Sequence, residues 1–163
     1  MREVLQYCRD RLPERAFASG ETIMTEGTPA GLLFVLVEGA VEVLKGDFHV
    51  TTVTEPGAIF GEISVLLEGT HTATVRASEP SRFYVIEDPN AFLRSAPDVA
   101  LAVARLLAKR LAAMMTYLVD LKKQFEEHDD HFGMLDEVLE ALAHAQPEDH
   151  KPGSDRDPDP TVY

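Results

Sequence analysis

The fold is decided by the stretch FGEISVLLEGTHTATVRA at residues 60–77. Gly61 permits a sharp turn, and the apolar run at 63–67 that follows can form a short helix packed against a core. Residues 73–77 alternate small or apolar side chains with polar ones, which is the pattern of a half-buried strand. The stretch therefore predicts a turn, a short helix and a strand, and we call it the cassette segment.

The start of this short helix also predicts an anion-binding site. The first backbone N–H groups of a helix have no intrahelical partners, so they can bind the oxygens of an anion such as phosphate. Gly61 permits close approach of the backbone to such an anion, and the Glu62 carboxylate can accept hydrogen bonds from a sugar hydroxyl. The alternatives are a glycine that serves the turn alone and a solvated carboxylate.

Short strands flank the cassette segment. Val41 and Val43 alternate with Glu42, which is a period-two strand pattern, and Gly46-Asp47 is a hairpin turn signal. Short strands with regular glycine punctuation predict an antiparallel β-sandwich or barrel. Between residues 16 and 87, glycines interrupt the runs of Val, Ile, Thr and Phe at positions 20, 27, 31, 39, 46, 57, 61 and 69.

Helical patterns lie on either side of the strand-rich region. Residues 3–11 can form a short helix before it. After it, residues 89–95 can form another, with Asp88 as the N-cap and a proline at the first helical position. A long helix then begins near Asp98 and meets no glycine or proline until Gly133.

The long helix carries an apolar stripe at heptad spacing, which predicts that two such helices pack along a seam. The alternative is an amphipathic helix that lies on its own domain. Both can hold, because a helix of about 45 Å, at ~1.5 Å per residue, is longer than a small barrel can cover. We predict a homodimer through Leu107, Leu111, Met114, Leu118, Leu121 and Phe125.

Composition and charge exclude several kinds of partner. The chain has 28 acidic and 15 basic residues among 163, a net charge of −13, so DNA, RNA and anionic membranes repel it. No apolar run reaches the ~18 residues that span a bilayer, and the first residues lack a signal-peptide pattern. A single cysteine, Cys8, favours a reduced thiol. These features predict a cytoplasmic protein without membrane association.

The sequence contains no apparent catalytic motif. No Walker-type or nucleophile-elbow motif occurs, and the six histidines do not form a close triad. His128 and His131 lie three residues apart beside two aspartates, where they either bind a metal weakly or form a solvated polar corner. We therefore predict a protein that is not an enzyme and holds neither a metal nor a cofactor.

The order of these elements resembles the cyclic-nucleotide-binding domain of the catabolite-activator family. The resemblance covers about residues 15–121. It implies an antiparallel β-roll (a double-stranded β-helix or jelly roll) with a short N-terminal helix and a long C-terminal dimerisation helix. The motifs that carry it, in the family's order, are SGETI (19–23), TEG (25–27), LFVLVEG (33–39), PG (56–57), FGEI (60–63) and ATVRA (73–77).

Within this resemblance, the cassette segment corresponds to the family's phosphate-binding cassette. Glu62 corresponds to the carboxylate that binds the ribose, and the backbone at Ile63 and Ser64 corresponds to the turn that faces the phosphate. The family places an arginine just before the Ala-x-Val strand, but here His71 stands at that position and the segment is one residue shorter. The resemblance implies cyclic AMP or cyclic GMP as the ligand, bound by Gly61, Glu62, Ile63, Ser64, His71 and Thr72.

The histidine weakens the expected contact. An arginine holds phosphate through a bidentate, charge-assisted fork, whereas a histidine offers at most two donors and is mostly neutral near pH 7. Loss of a charge-assisted contact of about 1.5–3 kcal/mol lowers affinity about 10- to 150-fold. Arg76 and Arg82 are other cations nearby, and strand alternation directs Arg76 to solvent. Met114 and Met115 stand where catabolite activators place a polar pair against the adenine, so adenine selectivity is not implied.

These inferences divide the chain into three parts. Residues 1–127 form the domain and its long helix, residues 128–146 a helical extension that folds back or extends the seam, and residues 147–163 an acidic, disordered tail. No helix-turn-helix reader with basic flanks follows the long helix, so we expect no DNA binding by this chain. The predicted function is a non-catalytic regulatory module that binds cyclic nucleotides weakly or not at all. The alternative is a degenerate domain that acts as a dimeric scaffold for an unidentified protein partner.

Overall fold

The computed structural model describes residues 2–9, 11–125 and 138. The chain divides into two compact units, residues 1–108 and residues 109–163.

Several sequence predictions fall outside the described residues. They concern the helical extension at 128–146, of which Val138 alone is described, the tail at 147–163, and the pair His128 and His131. The three-part division of the chain therefore stays a prediction.

The described residues form four helices and eight strands. In chain order they are α1 (Arg2–Cys8), β1 (Glu14–Phe17), β2 (Thr22–Met24), β3 (Leu33–Glu38), β4 (Val41–Lys45), β5 (Phe48–Val53), β6 (Ile59–Phe60), α2 (Glu62–Leu66), β7 (Thr74–Ala77), β8 (Ser81–Ile86), α3 (Pro89–Ser95) and α4 (Pro97–Phe125).

The strands form two antiparallel sheets of four strands each. One sheet has the order β1-β8-β3-β6 and the other the order β2-β7-β4-β5. Consecutive strands such as β2 and β3 lie in different sheets, which is the connectivity of a roll rather than of a meander. The predicted fold class, an antiparallel β-roll with a short N-terminal helix and a long C-terminal helix, is confirmed.

The first core lies between the two sheets. Phe83 of β8 is its most enclosed aromatic residue, and the rings of Phe17, Phe34 and Phe60 meet it edge-on at centroid distances of 5.6, 6.2 and 6.0 Å. Edge-to-face contacts of this kind add to the stabilisation from burial alone. The other sheet contributes apolar side chains, among them Met24, Val41, Val75 and Ala77.

The second core lies on the opposite face of the first sheet. Val35 and Tyr84 point to this side, where they pack with Val4 of α1 and with Val99 and Val103 of α4. Residues 33–36 are therefore buried without alternation, because successive side chains of β3 enter two different cores.

The first helix is shorter than predicted. It ends at Cys8 rather than at residue 11. The backbone N–H groups of Arg11 and Leu12 both donate to the Cys8 carbonyl, at 3.1 and 3.2 Å, so the chain tightens into a turn before Pro13. Pro13 cannot continue a helical hydrogen-bond pattern, which gives the physical reason for the early end.

The predictions for α3 and the start of α4 are confirmed. α3 spans Pro89–Ser95, and the Asp88 side chain accepts a hydrogen bond of 3.0 Å from the Ala91 N–H, as an N-cap does. α4 begins at Pro97 and continues to Phe125.

The predicted seam residues on α4 have different surroundings. Leu107 packs against the second core. Further along, the side chains of Leu111 and Met114 are 43% and 59% exposed. Leu118 and Leu121 are half-buried, and the side chain of Phe125 lies outside the described part of the structure. None of the described helices combines the length and the hydropathy needed to cross a bilayer.

Strand β5 lies at an open edge of its sheet. It pairs with β4, and no further described strand covers its other side. The predicted hairpin is present, since Lys45 lies opposite Phe48 across the Gly46-Asp47 turn. Every residue of β5 except Val53 is exposed, so both faces of this uncharged strand contact solvent.

We expect Gly39→Ala to be more destabilising than Gly20→Ala. Both glycines have a positive φ, of 105° and 83°, which costs a residue with a Cβ about 1–2 kcal/mol. At Gly39 the added Cβ would also lie 2.6 Å from the Ser81 Cα, whereas nothing lies within 4 Å of a Cβ at Gly20. The overlap adds about 1–3 kcal/mol. Urea denaturation measures both losses, and equal losses would contradict this packing at the β3–β4 turn.

Candidate ligand-binding site

The cassette segment begins with a glycine that its surroundings require. Gly61 has a φ of 90° and is the N-cap of α2. A Cβ at this position would lie 2.8 Å from the Leu32 carbonyl oxygen, so a larger residue would push the start of α2 away from the segment before β3. The absence of a Cβ at Gly61 thus lets the start of α2 lie close to the Leu32 carbonyl, and the approach of its backbone to an anion stays a prediction.

Glu62 is buried at the first turn of α2. It is 4% exposed, which rules out the alternative of a solvated carboxylate. A carboxylate is favoured at the N-terminal end of a helix, where it faces the positive end of the dipole. The predicted hydroxyl-binding residue thus lies inside the domain and not on its surface.

The second half of the apolar run does not pack as predicted. Val65 is buried, but Leu66 and Leu67 are 47% and 75% exposed. α2 has five residues, so it presents only one narrow face to the core. Glu68 then adopts a positive φ of 52°, and the Gly69 N–H returns to the Ser64 carbonyl at 2.9 Å, which closes the turn after α2.

A cleft of about 490 Å³ lies beside α2. Ser64, Val65 and Asn90 are among the residues that line it. Neither Glu62 nor His71 lines this cleft.

His71 is buried and forms a hydrogen bond with Ser64 of α2. The residue is 8% exposed, and its Nδ1 lies 3.2 Å from the Ser64 hydroxyl. The backbone is fixed on both sides, because the His71 N–H donates to the Thr28 carbonyl at 2.8 Å and the His71 carbonyl accepts from the Gly27 N–H at 2.8 Å. Burial lowers the pKa of His71 below its ordinary value of 6.5, since a buried ring loses the solvation of its charged form. The imidazole is therefore neutral at pH 7, as predicted.

Thr72 is exposed, and its carbonyl ties the cassette segment to the β4–β5 hairpin. The Lys45 ammonium donates to the Thr72 carbonyl at 2.7 Å and to the Glu26 carboxylate at 2.5 Å. Glu26 also accepts from the Gly46 N–H at 2.8 Å, and its own N–H donates to the Thr74 hydroxyl at 3.0 Å. The Gly46 hydrogen bond, followed by the Lys45 contact, lowers the pKa of Glu26.

The two arginines near the cassette segment in sequence are engaged elsewhere. Arg76 is exposed on β7 and pairs with Glu42 through its Nε at 2.6 Å, so its predicted orientation to solvent is confirmed. Arg82 pairs with Glu38 and Glu14 at 2.7 and 2.6 Å. Neither guanidinium takes the place of the arginine that the family's cassette carries.

Two observations concern the other titratable side chains of the described residues. Burial raises the pKa of the Cys8 thiol to about 11, which outweighs the opposite effect of Arg11 and leaves Cys8 a poor nucleophile. Within the described residues, no three His, Cys, Asp or Glu side chains are grouped as metal ligands.

Sequence reasoning missed the Ser64 side chain. The family resemblance points to the Ser64 backbone alone. No spacing rule predicts a contact between a side chain on a short helix and a side chain seven residues later across a loop. The Lys45–Glu26 pair was missed for the same reason. The polar character of Ser64 in an apolar run was the one available signal.

A family model for the cyclic nucleotide-binding domain matches residues 14–94. Over these residues, the chain belongs to the cyclic nucleotide-binding domain family. The match covers both sheets, the cassette segment and nearly all of α3, and it ends before α4.

Similar proteins carry the same domain within longer chains. The cyclic AMP receptor protein of Thermus thermophilus is 32% identical over 103 residues, which are 60% of this chain and 48% of that protein. The cAMP-dependent protein kinase regulatory subunit of Yarrowia lipolytica is 35% identical over 79 residues, 48% of this chain and 20% of that protein. This chain thus matches about half of the first relative and a fifth of the second.

A solved structure shows the same fold. The crystal structure of the Thermus thermophilus catabolite activator protein superposes with a TM-score of 0.64 at 27% identity, over 75% of this chain and 60% of that chain. The resemblance inferred from the motifs is confirmed at the level of the family and the fold.

We expect this cyclic nucleotide-binding domain to lose stability on acidification through His71. The pKa of His71 is lower in the folded chain than in the unfolded chain, so the unfolded chain takes up the proton first. The stabilisation is complete above pH 6.5 and is lost as the pH falls through the folded pKa. His71→Gln keeps a polar partner for Ser64 but does not titrate.

Urea denaturation between pH 7.5 and 5 tests this expectation. The free energy of unfolding should fall more for the parent than for His71→Gln. His49→Gln is the matched control, because His49 is exposed on β5, where its Nε2 lies 3.0 Å from the Thr52 hydroxyl. Parallel pH curves for the parent and His71→Gln would show that His71 is not the titrating group.

Proposed function

We propose that this chain is a non-catalytic regulatory module whose cassette segment binds cyclic nucleotides at most weakly at neutral pH. The observation that carries the proposal is the state of His71, which is buried, neutral and bonded to Ser64 at the position of the family's arginine. A neutral imidazole lacks the charge-assisted fork that an arginine offers to phosphate.

Two other features of the cassette segment support the proposal that it still binds a ligand. Gly61 keeps the positive φ that starts α2, and Glu62 keeps a buried carboxylate at its first turn. The names of two relatives, a cyclic AMP receptor protein and a cAMP-dependent kinase subunit, support cyclic AMP as the first ligand to test, with cyclic GMP beside it. The proposed ligand-binding residues are Gly61, Glu62, Ile63, Ser64, His71 and Thr72.

A substitution that restores the arginine should restore affinity. We expect His71→Arg to bind cyclic AMP or cyclic GMP about 10- to 150-fold more tightly than the parent at pH 7.5, because it regains a charge-assisted contact. Calorimetric titration measures both dissociation constants. Since the segment is one residue shorter than the family's, a second variant adds a glycine between Gly69 and Thr70 to His71→Arg. His49→Arg is the control for an added surface charge.

Two outcomes would contradict this proposal. If the parent binds as tightly as the arginine variants, His71 does not limit the affinity. If neither arginine variant binds while both remain folded by circular dichroism, the cassette segment is not a nucleotide site.

We also propose that the chain forms a homodimer through α4. Leu111 and Met114 are exposed apolar side chains spaced by three residues on one helix, and Leu118 and Leu121 continue the same stripe. Such a/d side chains are covered when two helices pack along a seam. Phe125 extends the proposed interface by one further turn.

Light scattering on Leu118→Glu tests the seam. We expect the parent to have the mass of a dimer and Leu118→Glu that of a monomer, because the change places a charge in an apolar interface. Thr116→Glu introduces the same charge at the exposed heptad position opposite the stripe, and it should remain dimeric. A monomeric parent, or a Leu118→Glu variant that remains dimeric, would contradict the proposed interface.

A dimeric protein-interaction scaffold is the second candidate function. The exposure of Leu66 and Leu67 on the cassette segment favours it, because these apolar side chains lie uncovered on the described surface. A dimer that binds neither cyclic nucleotide, in the parent and in both arginine variants, would support this function over the first. The protein partner of either function, the lack of DNA binding and the cytoplasmic location are proposals from the sequence.

A further inference from the structure

The hydrogen bond between Ser64 and His71 joins the short helix of the cassette segment to the residues just before its strand. Ser64 lies on α2 and His71 lies just before β7, and both are buried, at 3% and 8% exposure. The His71 backbone is held by Thr28 and Gly27, so the ring has little freedom to leave its place. The ring Nδ1 contacts the Ser64 hydroxyl, so Nε2 is the ring nitrogen that this contact does not use.

The elements that surround the ring carry several charged groups. α2 and its turn carry Glu62 and Glu68, and the facing turn carries Glu26, which is paired with Lys45. On β7, Arg76 is paired with Glu42. Burial is the cause of the lowered pKa of His71.

We propose that an anionic ligand at the cassette segment binds together with one proton on His71, and that Ser64 is the positioning residue that permits this protonation. The proposal rests on the proposed function, since it concerns the same site. A neutral imidazole has one N–H and no net charge, whereas an imidazolium has two N–H groups and a positive charge to set against a phosphate. The proton comes from the solvent on binding and returns to it on release.

Ser64 suits both states because a hydroxyl both donates and accepts. Beside the neutral ring with an unprotonated Nδ1, the hydroxyl donates to that nitrogen. Once Nδ1 carries a proton, the hydroxyl rotates and accepts from it. The 3.2 Å contact can therefore persist through protonation. In the proposal, Nε2–H is the donor that the ligand uses.

The expected sign of the pH dependence follows from linkage. The ligand selects the protonated ring, so the apparent affinity falls as the pH rises above the pKa of the free protein. The fall is up to about tenfold per pH unit, until the complex itself loses the proton. An arginine at position 71 keeps its charge, so its affinity stays constant over this range.

Calorimetric titration with cyclic AMP between pH 6.0 and 7.5, in buffers free of phosphate and sulfate, tests the proposal. The dissociation constant of the parent should rise with pH, while that of His71→Arg stays flat and that of His49→Gln follows the parent. At pH 6.5, titrations in PIPES and in Bis-Tris should give different observed enthalpies, because up to one proton is taken from the buffer. Parent binding that is independent of pH and of buffer overturns the proposal.

A second variant separates positioning from mere structural support. In Ser64→Ala the protonated Nδ1 would have no partner, so we expect the pKa of His71 to fall further and cyclic AMP to bind about tenfold or more weakly at pH 6.0. Ser64→Thr keeps the hydroxyl and should retain the parent's pH profile. Ring NMR signals, assigned with His71→Gln, report the pKa directly. A purely structural role would lower stability and leave that pKa in place.

The outcomes distinguish this proposal from the proposed function. If the parent does not bind at pH 6.0 but His71→Arg does, proton-coupled binding is wrong and the nucleotide site stands. If neither binds, both are wrong.

Discussion

The rest of the structure depends on the burial of the β1-β8-β3-β6 sheet on both of its faces. β3 and β8 send alternate side chains into two cores, so neither strand can shift its register without placing large side chains in the wrong core. Because β6 pairs with β3 through Phe60 and Ile59, the position of Gly61 is set by this sheet. The central strands therefore determine the position of α2.

In the cassette segment, α2 and the residue before β7 are in direct contact, which the family resemblance does not imply. In an arginine-bearing cassette, a phosphate would bridge the helix and the residue before the next strand. Here a direct contact between Ser64 and His71 already joins these two places. In our proposal, a ligand at this site has to accommodate the Ser64–His71 contact, and the charge of the buried His71 ring decides how favourable its binding is.

Local signals were sufficient for much of this structure. Gly61 and Asp88 marked the starts of their helices, because caps and turns depend on residues adjacent in sequence. The same reasoning failed for Leu66 and Leu67, since a five-residue helix is too short for an apolar run to show which face is buried. It also could not find the contact of Ser64 with His71, which exists only after the turn at Gly69 has closed.

The open edge of β5 has a consequence for the behaviour of the protein at high concentration. The six-residue strand FHVTTV contains no Asp, Glu, Lys or Arg and has no neighbour on one side among the described strands, and such an edge can add a strand from another chain. The strand has no charge of its own to oppose this, so the opposition comes from the net charge of −13 on the whole chain. Dissolved salt screens that repulsion. The resistance of the protein to association thus depends on ionic strength, whereas the apolar packing of its two cores involves no charge that salt could screen.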